Sequence, residues 1–284
     1  MENQVLDCLY NRASVRSFKD KDISEDIMNK ILDAGCHSAT GGNLQPYSII
    51  EIRSNEQKQA LMDTGEMQSI VLKAPVTLLF CIDLHRNERW AKLNHAPYTA
   101  RDSYRHFWIS LQDTVIAAQN CCTAADSLGL GSVYLGTVES CFYELKEMFS
   151  LPEGVFPVVL LCLGYPDKYP DIAPKHLHDI IVHKERYQEL SDEDLNKAMD
   201  KKYDHKKKTP LSERNLKELE KVCKNVKDDD FAKKALAYAK NLGYIHEAQR
   251  YFALHYPADQ MPLGNDKFLE TLRKYGFTWP SSEH

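Results

Sequence analysis

Several groups of residues in this chain have the types and spacing needed to hold a ligand. Arg12, Ser14 and Arg16 alternate along a short link, with Ala13 and Val15 between them. In an extended backbone alternate side chains project to one side, so two guanidinium groups and a hydroxyl could grip a phosphate or another polar anion. The triplet also reads as a helix-terminal turn carrying two solvated arginines. Residues 40–45, Thr40 to Gln45, offer backbone amides and two side-chain amides just before an apolar run. Asn43 and Gln45 can both donate and accept, which suits the edge of a planar heterocycle. A plain turn is the competing reading, because Gly and Asn tolerate positive φ and Pro46 stops a preceding helix. The passage Gly129, Gly131, Gly136 and Thr137 would let a planar ligand approach the backbone closely. It lacks the strand-first Gly-x-Gly-x-x-Gly pattern and no Walker lysine follows, so neither phosphate-loop motif is supported.

Further along, Lys175, His176 and His178 follow a Gly-Tyr-Pro turn. Lys175 could add a phosphate contact, whereas the histidines have no carboxylate or Cys partner at metal-ligand spacing, and no metal is expected. No nucleophile elbow occurs and no Ser or Cys is paired with a His, so acyl transfer is unsupported. The eight cysteines include no Cys-x-x-Cys pair, which argues against a cysteine zinc site or an iron–sulfur cluster. A net charge of −5 over 284 residues points away from nucleic acid as a partner. The start lacks the apolar core of a signal peptide, and no run is long enough to span a bilayer. A reduced, cytoplasmic protein off the membrane is expected.

The elements that would position these groups follow from periodicity. Residues 1–36 read as two helices around the Arg12–Arg16 link, the second capped by Ser24 with Glu25 and Asp26 in its first turn. Residues 47–52 and 75–83 are strand-like, with a helix near 56–63 between them. Residues 102–130 form the most helical stretch, apolar nearly all round, which predicts a helix buried in the core or at a subunit interface. Extended segments follow at 129–137 and 154–166. After residue 190 comes a charged helix or linker. Residues 212–275 then hold two or three amphipathic helices, too charged to promise a core of their own.

Taken together and in order, residues 11–18, 41–52, 116–136, 151–166 and 178–187 resemble the FMN-dependent nitroreductase family. The resemblance implies an α+β fold, with a central, mainly antiparallel sheet flanked by helices. It also implies an interlaced homodimer with FMN at the subunit interface. The domain division expected is 1–190 for FMN binding and 191–284 for a charged linker and helical C-terminal extension. Relatives of this kind pass a hydride from NADH or NADPH to flavin N5 and then to a nitroaromatic, quinone or related planar acceptor, in ping-pong order.

Carried over residue by residue, Arg12 and Ser14 would hold the phosphate side of FMN, with Ala13 between them where Arg is frequent. Arg16 would face the pyrimidine edge and tune the redox potential. Thr40, Gly41 and Asn43, with Gln45 as a further candidate, would line the ring from the partner chain, and backbone near Gly136 and Thr137 would address N5. Lys175, or His176 one residue on, stands where a phosphate-binding Arg is usual. Ala39 and Thr40 replace a usual Pro-Ser, and Tyr47 a commoner Trp. Tyr98, Tyr104, Arg105 and His106 are acceptor-pocket candidates that could equally pack a dimer interface. Two narrower alternatives keep the FMN site: a specialised reductive dehalogenase or flavin-fragmenting enzyme, and a non-catalytic FMN-binding scaffold.

Overall fold

The computed structural model describes residues 3–176 and 178–280. Two compact units form: one runs to Ile172 and resumes at Asp266, and the other spans Ala173–Asn265.

In the first unit the sheet forms from the longest apolar runs. Strands β1 (Tyr47–Ile52), β2 (Val76–Asp83), β3 (Gly131–Leu135) and β4 (Val155–Gly164) pair in the order β1-β2-β4-β3, every pair antiparallel. All 8 residues of β2 are buried, as a strand covered on both faces requires. Its side chains alternate between two cores, with Val76, Leu78 and Phe80 in one and Leu79 and Cys81 in the other, following the two-residue period of a strand. The register shifts between Phe80 and Cys81, opposite Pro157. Such an irregularity is where an interior strand tolerates a residue without an N–H.

Helices α1 (Gln4–Asn11), α2 (Glu25–Cys36), α3 (Asn55–Asp63), α4 (Ile70–Lys73), α5 (His85–Leu93), α6 (Tyr104–Ser127) and α7 (Phe142–Met148) surround this sheet. Ser24, Ser54 and Ser103 cap α2, α3 and α6, each hydroxyl accepting a first-turn N–H. Helices α2 and α6 bring Met28, Ile31, Ala118, Cys121 and Ala125 to the core that holds Phe80.

The second unit contains α8 (His178–Ile181), α9 (Asp192–Tyr203), α10 (Glu213–Val226), α11 (Asp229–Leu242) and the short α12 (Glu247–Gln249), which runs into a π-helical turn at Arg250–His255. It has a core after all, built from Leu219, Val222, Ala232, Ala239, Ile245 and Ala253. Helix α13 (Asn265–Lys274) then carries the chain back to the first unit. Leu272, Tyr275 and Phe277, each 0% exposed, enter the core beside Leu79 and Phe156. The Tyr275 hydroxyl donates to Phe142 O at 2.6 Å. The boundaries between the compact units fall after residues 172 and 265. The closing residues are part of the first core because their aromatic rings fill it.

Candidate functional site

Helix α1 stops at Arg12, whose backbone turns extended (φ −63°, ψ 130°). Ser14 forms a parallel bridge with Ser132 of β3, and Val15 N–H donates to Ser132 O at 2.9 Å. Val15 is buried while Arg16 is exposed, so the link alternates inward and outward. Arg12 Nε donates to Cys122 Sγ at 3.5 Å and lies 3.8 Å from Asp126 Oδ2. Neither Nη of Arg12 hydrogen-bonds any described residue, and Arg16 forms no ion pair among them. Burial pushes the Asp126 carboxyl up, against hydrogen bonding by Ser132 and the charge of Arg12. Arg12 and Ala13 line a cleft of about 1060 Å³ together with Asn120, Asp126 and Tyr169.

Gly136 follows the last residue of β3, four positions on from Ser132. That separation is about 13 Å along a strand, comparable with the extent of a mononucleotide. Its φ is −83°, open to any residue, and a Cβ built there would meet nothing within 4 Å. Thr137 beside it donates to Met67 Sδ at 3.5 Å.

The 40–47 loop is tightly turned. Gly42, Asn43 and Gln45 have φ of 59°, 56° and 48°, a left-handed region that disfavours residues with a Cβ. Gly41 N–H donates to both carboxylate oxygens of Asp113, at 3.2 and 3.0 Å. A Cβ on Gly41 would come within 2.8 Å of Ile109 on α6, so contact with the chain's own helix already explains this glycine. The Thr40 hydroxyl accepts from Gln45 N–H. Gln45 folds back, its Nε2 donating to Cys36 O at 2.9 Å. Asn43 is exposed, and its side chain makes no hydrogen bond among the described residues.

These groups do not all meet within one chain. The loop leads into β1 and Gly136 ends β3, the opposite edges of the sheet, which lie three inter-strand spacings or about 14 Å apart. Lys175 and His176 belong to the second unit, Lys175 exposed and His176 half-buried. Tyr98 is partly buried against the core and donates to Leu84 O at 3.4 Å. Burial pushes its hydroxyl up to about 12. Tyr104 is exposed, with its ring 6.1 Å from that of Trp108 and 5.2 Å from that of Trp279. Arg105 and His106 are exposed.

The nitroreductase family model matches residues 9–165, more than half of the chain, and takes in both edges of the sheet. The chain belongs to the nitroreductase family. It is 32% identical over 193 residues to the NADPH-flavin oxidoreductase of Vibrio harveyi, covering 68% of this chain and 78% of that one. Among solved structures, the NADPH:FMN oxidoreductase from Vibrio harveyi complexed with NAD+ superposes with a TM-score of 0.65 at 31% identity, covering 71% of this chain and 87% of that one. B. megaterium NfrA1 superposes with a TM-score of 0.73 at 25% identity, covering 97% and 100%.

Within this nitroreductase-family chain, the supports of the 40–47 loop escape sequence reading. Asp113 is a buried carboxylate in the middle of α6. An acidic residue inside a helix that is apolar nearly all round was the available signal. Arg86 and Asn87, from the first turn of α5, also grip the loop. Nothing in their local sequence marks that role, because it depends on the pairing of β1 with β2.

Proposed function

We propose that this protein is an FMN-dependent oxidoreductase that takes electrons from NADH or NADPH and delivers them to a small planar acceptor such as a nitroaromatic or quinone, in ping-pong order. Gly136 carries the reading: neither its backbone angles nor its neighbours require a glycine, and the open space above it sits at a strand end suited to a planar ring. The residues fit the cofactor in kind. Arg12 offers both Nη groups, Ser14 a hydroxyl and Arg16 an exposed guanidinium whose Nη1 reaches Ser14 O at 3.5 Å, a donor set suited to a phosphate and to the polar edge of the ring. Backbone at Gly136 and Thr137 would face the ring's central nitrogen.

FMN, when bound, supplies the two-electron chemistry, so the chain needs no nucleophile or metal of its own. Its residues bind, orient and shield. The relatives' names support this choice, one being called an NADPH-flavin oxidoreductase and another an FMN reductase.

Thr40, Gly41 and Asn43 would reach the ring of a second protomer, since one chain holds them at the far edge of its sheet from Gly136. A homodimer would also cover the apolar groups exposed on α1 and α6, among them Leu9, Tyr10, Trp108 and Val115. Tyr104, Arg105 and His106 are placed to orient the acceptor; Tyr98, held in the core, would shape the pocket from behind. Cys8, Cys36, Cys81, Cys121, Cys122, Cys141, Cys162 and Cys223 are all free, which suits the reducing cytoplasm.

Gly136→Leu tests the reading. The open space predicts normal folding with loss of bound flavin, and a variant that purifies with full FMN occupancy would refute the placement.

A further inference from the structure

The 40–47 loop has a shape it would not keep alone. Three of its residues, two of them with side chains, hold positive φ, a conformation disfavoured for a residue with a Cβ. Such a conformation persists only where its surroundings over-determine it.

At the C-terminal half, the end of β2 and the first turn of α5 bind four consecutive carbonyls. Asn87 Nδ2 donates to Leu44 O at 3.3 Å, and Arg86 Nη2 donates to Gln45 O. Asp83 N–H donates to Pro46 O at 2.8 Å, and Arg86 Nη2 also reaches Tyr47 O at 3.0 Å. The guanidinium is itself held, with Nη1 3.7 Å from Asp83 Oδ2, while the Asp83 carboxylate also accepts from Ser48 Oγ and from Arg86 N–H. At the N-terminal half, Asp113 accepts the Gly41 N–H on both oxygens.

Asp113 is 4% exposed, and no cation pairs with it among the described residues. A buried carboxylate without a counter-charge is costly, so this one is hard to explain as a contribution to stability. Its one hydrogen-bond partner among the described residues is the Gly41 N–H of the loop. Between the two anchors only Gly42 and Asn43 are left, with the Asn43 amide exposed and unpaired.

We propose that Asp113 and Arg86 are positioning residues: they fix the loop from both ends so that Asn43 is presented in its binding geometry before the flavin arrives. This rests on the reading of the loop as part of a flavin site. A loop ordered in advance avoids the entropic cost of ordering on binding, so loosening either anchor should lower affinity without touching a flavin-contacting group.

The test compares Asp113→Ala, Asp113→Asn and Arg86→Ala with the wild type in three measurements. These are amide hydrogen exchange of residues 41–47 in flavin-free protein, FMN affinity by fluorescence titration, and visible circular dichroism of the bound flavin. Asp113→Asn keeps an acceptor for the Gly41 N–H and serves as the conservative rescue.

Asp113→Ala and Arg86→Ala should speed loop exchange and weaken FMN binding by roughly tenfold or more, with an altered dichroism band, while Asp113→Asn stays near wild type. Unchanged loop exchange in both alanine variants overturns the clamp. Faster exchange with unchanged FMN affinity overturns its role in presentation. The anchors lie on different elements, so a failure of one variant to fold leaves the other to decide. A wild-type protein that takes up no FMN overturns the flavin reading instead, and the exchange measurement then judges the clamp alone.

Discussion

Replacing Phe277 with alanine should destabilise the first unit by about 4 kcal/mol, the middle of the range for emptying a buried phenylalanine site. The ring is 0% exposed. It packs edge-to-face on Phe107 at 5.3 Å and on Phe156 at 6.1 Å, and such pairs add to the value of the buried area. Phe107 starts the buried face of α6 and Phe156 lies on β4, so the ring joins the closing segment to both. The backbone around it leaves little room to collapse. Phe277 N–H is bonded to Leu272 O at 3.1 Å, and Thr278 N–H to Arg101 O at 3.2 Å. Arg101 is fixed in turn by Glu88 and Glu153, each at 2.9 Å. Whole-domain stability is typically about 5–15 kcal/mol, so the loss is a large part of it. Urea unfolding followed by tryptophan fluorescence should show a midpoint lowered by about 1–2 M, on a slope typical of a domain this size. Phe277→Leu should recover most of the difference. An alanine variant with a midpoint within about 0.3 M of wild type would show that the closing residues are an appendage and not core.

Arg16→Ala should leave the urea midpoint nearly unchanged, because Arg16 is exposed and its guanidinium makes only a long hydrogen bond to the neighbouring Ser14 O and no ion pair among the described residues, yet lower FMN affinity by about tenfold or more, as loss of a charged hydrogen bond would. Equal affinity by fluorescence titration would remove Arg16 from the site. In the second unit, the hydrogen bond from Arg250 and the contact from Lys206 hold the Glu247 carboxyl below its ordinary value of 4.5. A carboxyl depressed in the folded state contributes stability that is fully present above its unfolded value and is lost as pH falls through the folded one. The second unit should therefore weaken progressively below about pH 4.5, and Glu247→Gln should flatten that decline in a series of denaturation curves.

The sheet and its long helix were legible because their signals are local. β2 and β4 are unbroken apolar runs, α6 is apolar nearly all round, and Ser24 caps α2 as its position suggests. The α+β architecture came from the family resemblance, and the antiparallel sheet and helices agree with it. What escaped depends on partners distant in sequence. Residues 212–275 read as two or three amphipathic helices, and only the two-sided sheet reveals that Tyr275, with Phe277 just beyond, is its filling. Gln45 looked like a ligand-facing amide, but a positive φ turns the chain so that its side chain meets Cys36 O. Gly41 reads as lining the ring, and the sequence does not show that the close approach of Ile109 on α6 also requires a glycine there. Gly136 is the opposite case, a glycine that nothing in the chain itself requires.

The most direct test of the account is the visible spectrum of the purified protein, reconstituted with FMN and titrated without oxygen by NADPH and then by NADH. The account predicts one FMN per chain and loss of the yellow absorbance with at least one of the two nucleotides, restored on adding a quinone or nitroaromatic. A protein that binds no FMN, or whose bound FMN neither nucleotide bleaches, would contradict it.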